Sequence, residues 1–295
     1  MKLWSGNNPG MSETPLQPPS KVHVVRGGAP ADTAALDPRA EPLHISYSST
    51  RVSADAGAQL QRTHGIVGND RSPLAESFRM LRNQVLQRMR PEGHRLLAVT
   101  SARRIEGKSI TAANLALTLA ADFDTSVMLV DADLSGTGLQ HLFGLAASPG
   151  LGEHLLEGIA ISELLVNPGI ERLVVLPAGR KAVLNSSELL ATRAAQQLFT
   201  EMKARYQDRY IVVDLPPLLD TADALAFLPQ VDTTLVVVEE HTTSLQDIES
   251  VGQLMTPFNL VGTVMSPAHD GAPGDGQRPP WYRRWRRGQG GAAPR

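Results

Sequence analysis

The sequence predicts an α/β fold, a mostly parallel sheet with helices on both faces, and three observations carry that expectation. Between about residues 94 and 266, short apolar runs alternate with helix-forming segments, the order that builds a parallel sheet covered on both sides. One run, Leu96-Leu97-Ala98-Val99-Thr100, passes through Ala102-Arg103-Arg104-Ile105-Glu106-Gly107-Lys108-Ser109 into Ile110-Thr111-Ala112-Ala113-Asn114-Leu115-Ala116-Leu117. Strand, loop and helix in that order are the context of a phosphate-binding loop. Two further runs end in carboxylates, one at Asp131-Ala132-Asp133 and one at Asp214.

The elements follow in chain order. Residues 1–70 hold Pro9, Pro15, Pro18, Pro19, Pro30, Pro38 and Pro42 among Ala, Ser, Gly and Asp without sustained periodicity. Such a segment buries too little apolar area to offset its ordering entropy, so it reads as a disordered arm. Ser72-Pro73 marks a helix entry, a side-chain cap followed by proline in the first turn, and Leu74, Phe78, Leu81, Val85 and Leu86 fall close to one face of that helix. The strands are expected at 96–100, 126–131, 172–176, 210–214, 233–238 and 260–265. Gly and Pro return from Pro267 onward, so 71–266 is expected to form one domain and 267–295 a disordered, basic and aromatic tail.

The chemistry explains the spacing. A helix N-terminus offers unpaired N–H groups and the positive end of a dipole to a polyphosphate. Lys108 would reach the outer phosphates, the Ser109 hydroxyl would ligate Mg²⁺, and Gly107 lets the backbone approach closely. The strict form of the motif begins with Gly, and Ala102 stands there instead. In an open parallel sheet the strand C-termini collect at one edge, where ligands bind. Asp131, Asp133 and Asp214 should therefore face the loop, there to organise the Mg²⁺ hydration shell or to accept a proton from an attacking hydroxyl. An ordinary strand-to-helix turn with an exposed lysine, and strand-ending acids without a ligand, remain open at this point.

Composition narrows the classes. The chain has 295 residues and no cysteine, which excludes disulfides, thiolate metal sites and a thiol nucleophile. The eight histidines are scattered, without the spacing of a metal pair, and read as solvated. A net charge of −2 gives no general reason to expect nucleic acid as a partner. No apolar stretch is long enough to span a bilayer, and the N-terminus lacks the apolar core of a secretory signal, so a cytoplasmic location is expected.

The run from Glu76 to Ser266 resembles the cytoplasmic domain of bacterial tyrosine kinases of capsule and exopolysaccharide production, relatives of the MinD and ParA P-loop ATPases. The resemblance rests on Thr100-Ser101 with Glu106-Gly107-Lys108-Ser109 and Asn114-Leu115-Ala116, on Leu129-Val130-Asp131-Ala132-Asp133-Leu134, and on Val212-Val213-Asp214-Leu215-Pro216-Pro217 with Asp223-Ala224-Leu225. Lesser echoes are Gly150-Leu151-Gly152-Glu153, Leu176-Pro177-Ala178-Gly179 and Glu188-Leu189-Leu190. The resemblance implies a protein-tyrosine kinase with ATP and Mg²⁺ as cofactors. Glu106, Gly107, Lys108, Ser109 and Ile110 would bind the nucleotide, and Ser109, Asp133 and Asp214 would hold the metal and its waters. Lys108, Asp131, Asp133 and Asp214 would form the catalytic set, with Asp131 drawing the tyrosine proton. It also implies a homo-oligomer through Glu76, Arg79 and Arg82, and a membrane-embedded polysaccharide chain-length co-polymerase as partner, at the inner face of the cell membrane.

Several departures stand beside these matches. Arg104-Ile105 replaces the usual Pro-Gly, Ser135 replaces a common Arg, and Ser266 stands where relatives place an Asn that reads adenine. The tail offers Tyr282 as a single phosphosite in place of a tyrosine cluster, while Tyr206 and Tyr210 read as packing residues. Trp281-Tyr282-Arg283-Arg284-Trp285-Arg286-Arg287 has the chemistry of a contact with an anionic membrane surface. Two other readings stay open. One is a MinD/ParA-like ATPase switch, which would need Arg103 and Arg104 to deputise for a lysine early in the loop. The other is a non-catalytic nucleotide-binding scaffold of the polysaccharide assembly machinery.

Overall fold

The computed structural model describes residues 2–4, 51–52, 72–104, 107–122, 124–136, 138–205, 209–240 and 242–266. Within them the strands are β1 (Lys2–Trp4), β2 (Arg51–Val52), β3 (Leu96–Ser101), β4 (Ser126–Asp131), β5 (Val166–Asn167), β6 (Leu173–Leu176), β7 (Arg209–Asp214), β8 (Thr233–Glu239) and β9 (Leu260–Ser266). They form one sheet in the order β1-β9-β8-β3-β7-β4-β6-β5-β2. The six central strands, from β9 to β6 in that order, run parallel. These are the six strands expected from the sequence, each within a residue of its expected bounds at either end. β6 starts at Leu173 and not at Arg172 because Arg172 has a positive φ of 62°, outside the extended region.

Two short pieces of the arm join the sheet. Lys2–Trp4 pairs antiparallel with β9 at one sheet edge, and Arg51–Val52 pairs parallel with β5 at the other. An edge strand presents a row of open N–H and C=O groups, and a short segment of main chain can satisfy them without a core of its own. The rest of the arm and the tail 267–295 lie outside the described residues.

The helices are α1 (Pro73–Met89), α2 (Lys108–Ala120), α3 (Gly138–Leu142), α4 (Leu151–Glu157), α5 (Ile161–Leu164), α6 (Ser186–Leu190), α7 (Arg193–Arg205), α8 (Asp223–Phe227) and α9 (Leu245–Met255). Alternation along the buried strands assigns them to two faces. Leu97, Val99, Leu129, Val212 and Val237 pack with α1, α2 and α3. Ala98, Val130, Val213 and Val236 point the other way and pack with α4 to α9.

α1 opens as expected: the Ser72 hydroxyl accepts from the Ala75 N–H at 3.2 Å, and Pro73 occupies the first turn. Its inner face is Ala75, Phe78, Leu81, Val85 and Met89, while Leu74 turns to solvent. Behind α1, α2 is buried from Thr111 to Ala120. Its last carbonyls are all met. Those of Leu117 and Leu119 accept from Ala121 and Asp122 N–H groups, each at 3.1 Å. Those of Thr118 and Ala120 accept from the Arg82 and Arg172 guanidinium groups, each also at 3.1 Å. Arg82 and Arg172 are thus cations at the negative end of the helix, where they are favourable.

Candidate active site

The β3–α2 loop is anchored along the segment that follows Asp214. Leu218 and Leu219 N–H groups donate to the carbonyls of Ser101 and Ala102 at 2.9 and 3.1 Å, and the Thr100 hydroxyl donates to the Pro216 carbonyl at 2.7 Å. α2 then begins at Gly107, whose φ of 77° is left-handed and which offers no side-chain cap. The N–H groups of Lys108, Ser109 and Ile110 are therefore first-turn donors of the kind an anion satisfies. A Cβ on Gly107 would stand 3.2 Å from the Ser266 hydroxyl, so Ser266, at the end of β9, packs against the loop. The Ile110 side chain joins the core on the α1 side, which leaves its backbone for the ligand. Glu106 and Ile105 lie outside the described residues.

Lys108 is the hub. Its Nζ is 2.9 Å from Asp133 Oδ2 and 3.4 Å from Asp214 Oδ1, and it donates to the Ser109 hydroxyl at 3.3 Å. β4 and β7 are neighbours in register, Asp131 opposite Asp214, which is why the two carboxylates arrive together. Asp131 is fully buried; Oδ1 accepts from the Asp133 N–H at 3.2 Å and Oδ2 from the Leu139 N–H at 3.0 Å. A Cβ on Gly138, where α3 begins, would lie 3.6 Å from the Ser109 hydroxyl and 4.0 Å from Asp131 Oδ2. These are ordinary contact distances, so the start of α3 closes over both groups.

The electrostatics split the acids. Burial pushes the Asp131 carboxyl well above the ordinary range and the Asp214 charge adds to it, against the Leu139 N–H and Lys108. Burial also raises Asp214, only partly opposed by Lys108 and the Ser109 hydroxyl. For Asp133 burial is outweighed by the Lys108 charge and the Ser135 hydroxyl, so its carboxyl is held below the usual range. Lys108 itself loses hydration, but Asp214 and Asp133 outweigh that and raise its proton affinity. Two acids with raised proton affinity beside one held ionised form the asymmetry that acid–base chemistry exploits.

A cation can be tested against these donors. Among the described residues no three His, Asp or Glu side chains form a ready cation cage. The fit is instead to a partly hydrated hard cation, because the donors are a hydroxyl and carboxylates. Asp214 Oδ2 is buried and finds no partner among the described residues. An orphaned oxygen on a carboxylate whose other oxygen meets Lys108 suits Mg²⁺ or one of its waters.

The other expected residues are placed as follows. Glu76 and Arg79 pair on the outer surface of α1 at 2.8 Å, and Arg82 is turned toward α2. Tyr210 is half-buried against the α1–α2 core, the packing role expected of it; Tyr206 and Tyr282 lie outside the described residues. The two glycine-rich echoes meet: Leu151 and Gly152 donate to the carbonyls of Pro177 and Ala178, both at 2.8 Å. The contacts of Asp131 with Leu139 and of Ser266 with Gly107 escaped the sequence reading. The first had a signal in the glycines at 136 and 138, just past the paired acids.

A family described as "ParA: NUBPL iron-transfer P-loop NTPase" matches residues 93–265, more than half of the chain. The chain belongs to the ParA family of P-loop NTPases. Among its relatives, the succinoglycan biosynthesis transport protein ExoP of Rhizobium meliloti (strain 1021) is 34% identical over 228 residues, which are 74% of this chain and 28% of ExoP. The putative tyrosine-protein kinase CapB of Staphylococcus aureus is 27% identical over 199 residues, 66% of this chain and 85% of CapB. The solved structure of the kinase domain of the Escherichia coli tyrosine kinase ETK shares the fold, with a TM-score of 0.64 at 24% identity over 78% of this chain and 93% of that structure. This ParA-family chain is thus similar to bacterial tyrosine kinases, and it spans little more than a quarter of ExoP. No helix among its described residues is long and apolar enough to cross a membrane.

Proposed function

We propose that this chain is an ATP-dependent protein-tyrosine kinase that regulates polymerisation and export of an exopolysaccharide or capsule. The observation that carries the proposal is the convergence of Lys108, Asp133 and Asp214 at the uncapped start of α2, in a chain similar to proteins named as tyrosine kinases. Lys108 and the N–H groups of Gly107 to Ile110, together with Glu106, would hold the ATP phosphates. Ser109, Asp133 and Asp214 would hold Mg²⁺, which would supply positive charge to the phosphate oxygens. The acceptor hydroxyl attacks the γ-phosphorus, the bond to the bridging oxygen breaks and ADP leaves. Asp131 takes the hydroxyl proton: each of its oxygens keeps a lone pair beyond its N–H bond, and burial raises its basicity.

The same reading makes Tyr282 the acceptor in the tail, Glu76, Arg79 and Arg82 a contact between copies, and a membrane-embedded polysaccharide co-polymerase the partner. The Trp281–Arg287 cluster would then lie against the inner face of the membrane. Arg103 is committed to two acids of its own chain, which weakens the ATPase-switch reading, since there it would have to face phosphate. The test is to incubate the purified chain with Mg-ATP, with and without its membrane partner, and to probe for phosphotyrosine. Phosphotyrosine in the wild type and none in Lys108→Met supports the kinase. Phosphate release without phosphotyrosine supports the switch, and binding without turnover supports a scaffold.

A further inference from the structure

Arg103 sits in the phosphate loop five residues before Lys108 and points away from the acids around it. Its Nη1 is 3.1 Å from Asp220 Oδ1, on the turn after β7. Its Nη2 and Nε are 2.8 and 3.1 Å from Asp247 Oδ1, in the first turn of α9. The next residue is tied too: the Arg104 N–H donates to Asp220 Oδ2 at 2.9 Å. Asp247 is itself fixed by the α9 cap, its N–H donating to the Ser244 hydroxyl at 3.0 Å and its Oδ2 accepting from that hydroxyl at 2.8 Å. One planar fork thus joins three separate segments, and one of them continues directly from Asp214.

We infer that Arg103 is a positioning residue of the nucleotide site, a strut that holds the first half of the phosphate loop against the β7–α8 turn and the start of α9, and so sets affinity for the nucleotide. The inference rests on the reading of the loop as a triphosphate cradle. A loop that binds through backbone N–H groups must be ordered before the ligand arrives, or binding is weakened by the entropy of ordering it. Arg104 and Ile105 carry no backbone constraint of the kind proline supplies. The Arg103 fork and the Asp220 carboxylate fix residues 103 and 104 from outside. An arginine serves better than a lysine, because its fork meets two carboxylates in different directions, whereas a lysine is a single point charge.

The test compares Mg-ATP binding by calorimetry, and KM with kcat, for wild type, Arg103→Ala, Arg103→Lys, Asp247→Ala and the Arg103→Ala/Asp247→Ala double variant. Thermal melts check that each is folded. The strut requires Arg103→Ala to bind nucleotide about fivefold to tenfold more weakly, the scale of a network of partly exposed charge pairs. Its kcat should stay within about twofold, Arg103→Lys should recover part of the loss, and the double variant should be no worse than the single ones. Asp247→Ala is decisive: a strut predicts weaker binding, whereas an Arg103 that touched phosphate directly would be released and bind more tightly. Equal affinity in wild type and Arg103→Ala, or tighter binding by Asp247→Ala, overturns the inference. Absence of binding in the wild type overturns the nucleotide reading itself, a different outcome.

Discussion

Replacing Asp214 with asparagine should make the empty protein more stable and the nucleotide-bound protein less so. Asp214 is fully buried with Oδ2 orphaned among the described residues, and a buried unsatisfied polar atom costs about 1–3 kcal/mol, more when it is charged. Against that, the substitution weakens a 3.4 Å contact with Lys108, but Lys108 keeps its shorter 2.9 Å partner Asp133. The net expectation is a gain of about 1 kcal/mol, or about 2–4 °C in Tm for a unit of this size. The sign with pH follows from the raised proton affinity of Asp214. Above the ordinary carboxylate range the folded wild type binds protons that the unfolded chain has released, so this group makes stability fall as pH rises. The advantage of Asp214→Asn therefore grows from pH 5 to pH 8 and shrinks on acidification. Saturating Mg-ATP should reverse the order, because a ligand at a hundred times its Kd adds about 2.7 kcal/mol to the state that binds it. Thermal melts at several pH values, with and without Mg-ATP, read all of this. A lower Tm for empty Asp214→Asn at neutral pH, or an equal ligand-induced rise in both proteins, would refute the reasoning.

Three other outcomes follow from the same geometry. Lys108→Met should abolish Mg-ATP binding by calorimetry and lower stability by about 3 kcal/mol, since it strips the partner from buried acids; chemical denaturation should find that loss steeper at pH 8 than at pH 5, because protonation relieves the acids. Gly150→Ala should prevent the chain from accumulating in soluble form, as its Cβ would lie 2.1 Å from the Pro177 carbonyl oxygen and the backbones there are hydrogen-bonded together. Ser72→Ala removes the α1 cap and should cost about 1 kcal/mol, a drop of a few degrees in Tm with Mg-ATP affinity unchanged.

Which parts of this were legible in the sequence follows from how local their causes are. The central strands announce themselves because their middles are apolar runs, buried along the whole length of β3, β4, β6 and β8. Strand ends in a parallel sheet share one edge, so the sequence alone sets Asp131, Asp133 and Asp214 beside Lys108. β1, β2 and β5 were not legible. They have two or three residues each, and what makes them strands is a partner edge rather than their own composition. The Arg103 network was invisible for a related reason, since its acids lie 117 and 144 residues away in sequence. The ordering of protonation among the acids was hidden too, for it depends on which carboxylate Lys108 touches most closely.

The four bonded carbonyls at the rear of α2 have an electrical consequence. With Leu117, Thr118, Leu119 and Ala120 each supplied with a donor, two of them cationic, the negative pole of this buried rod is neutralised, while the forward end has no side-chain cap. The field along α2 is therefore lopsided, and its uncompensated part emerges at Lys108. Arg82 and Arg172, bound near the far end of α2 from the cradle, sharpen the attraction felt at its mouth.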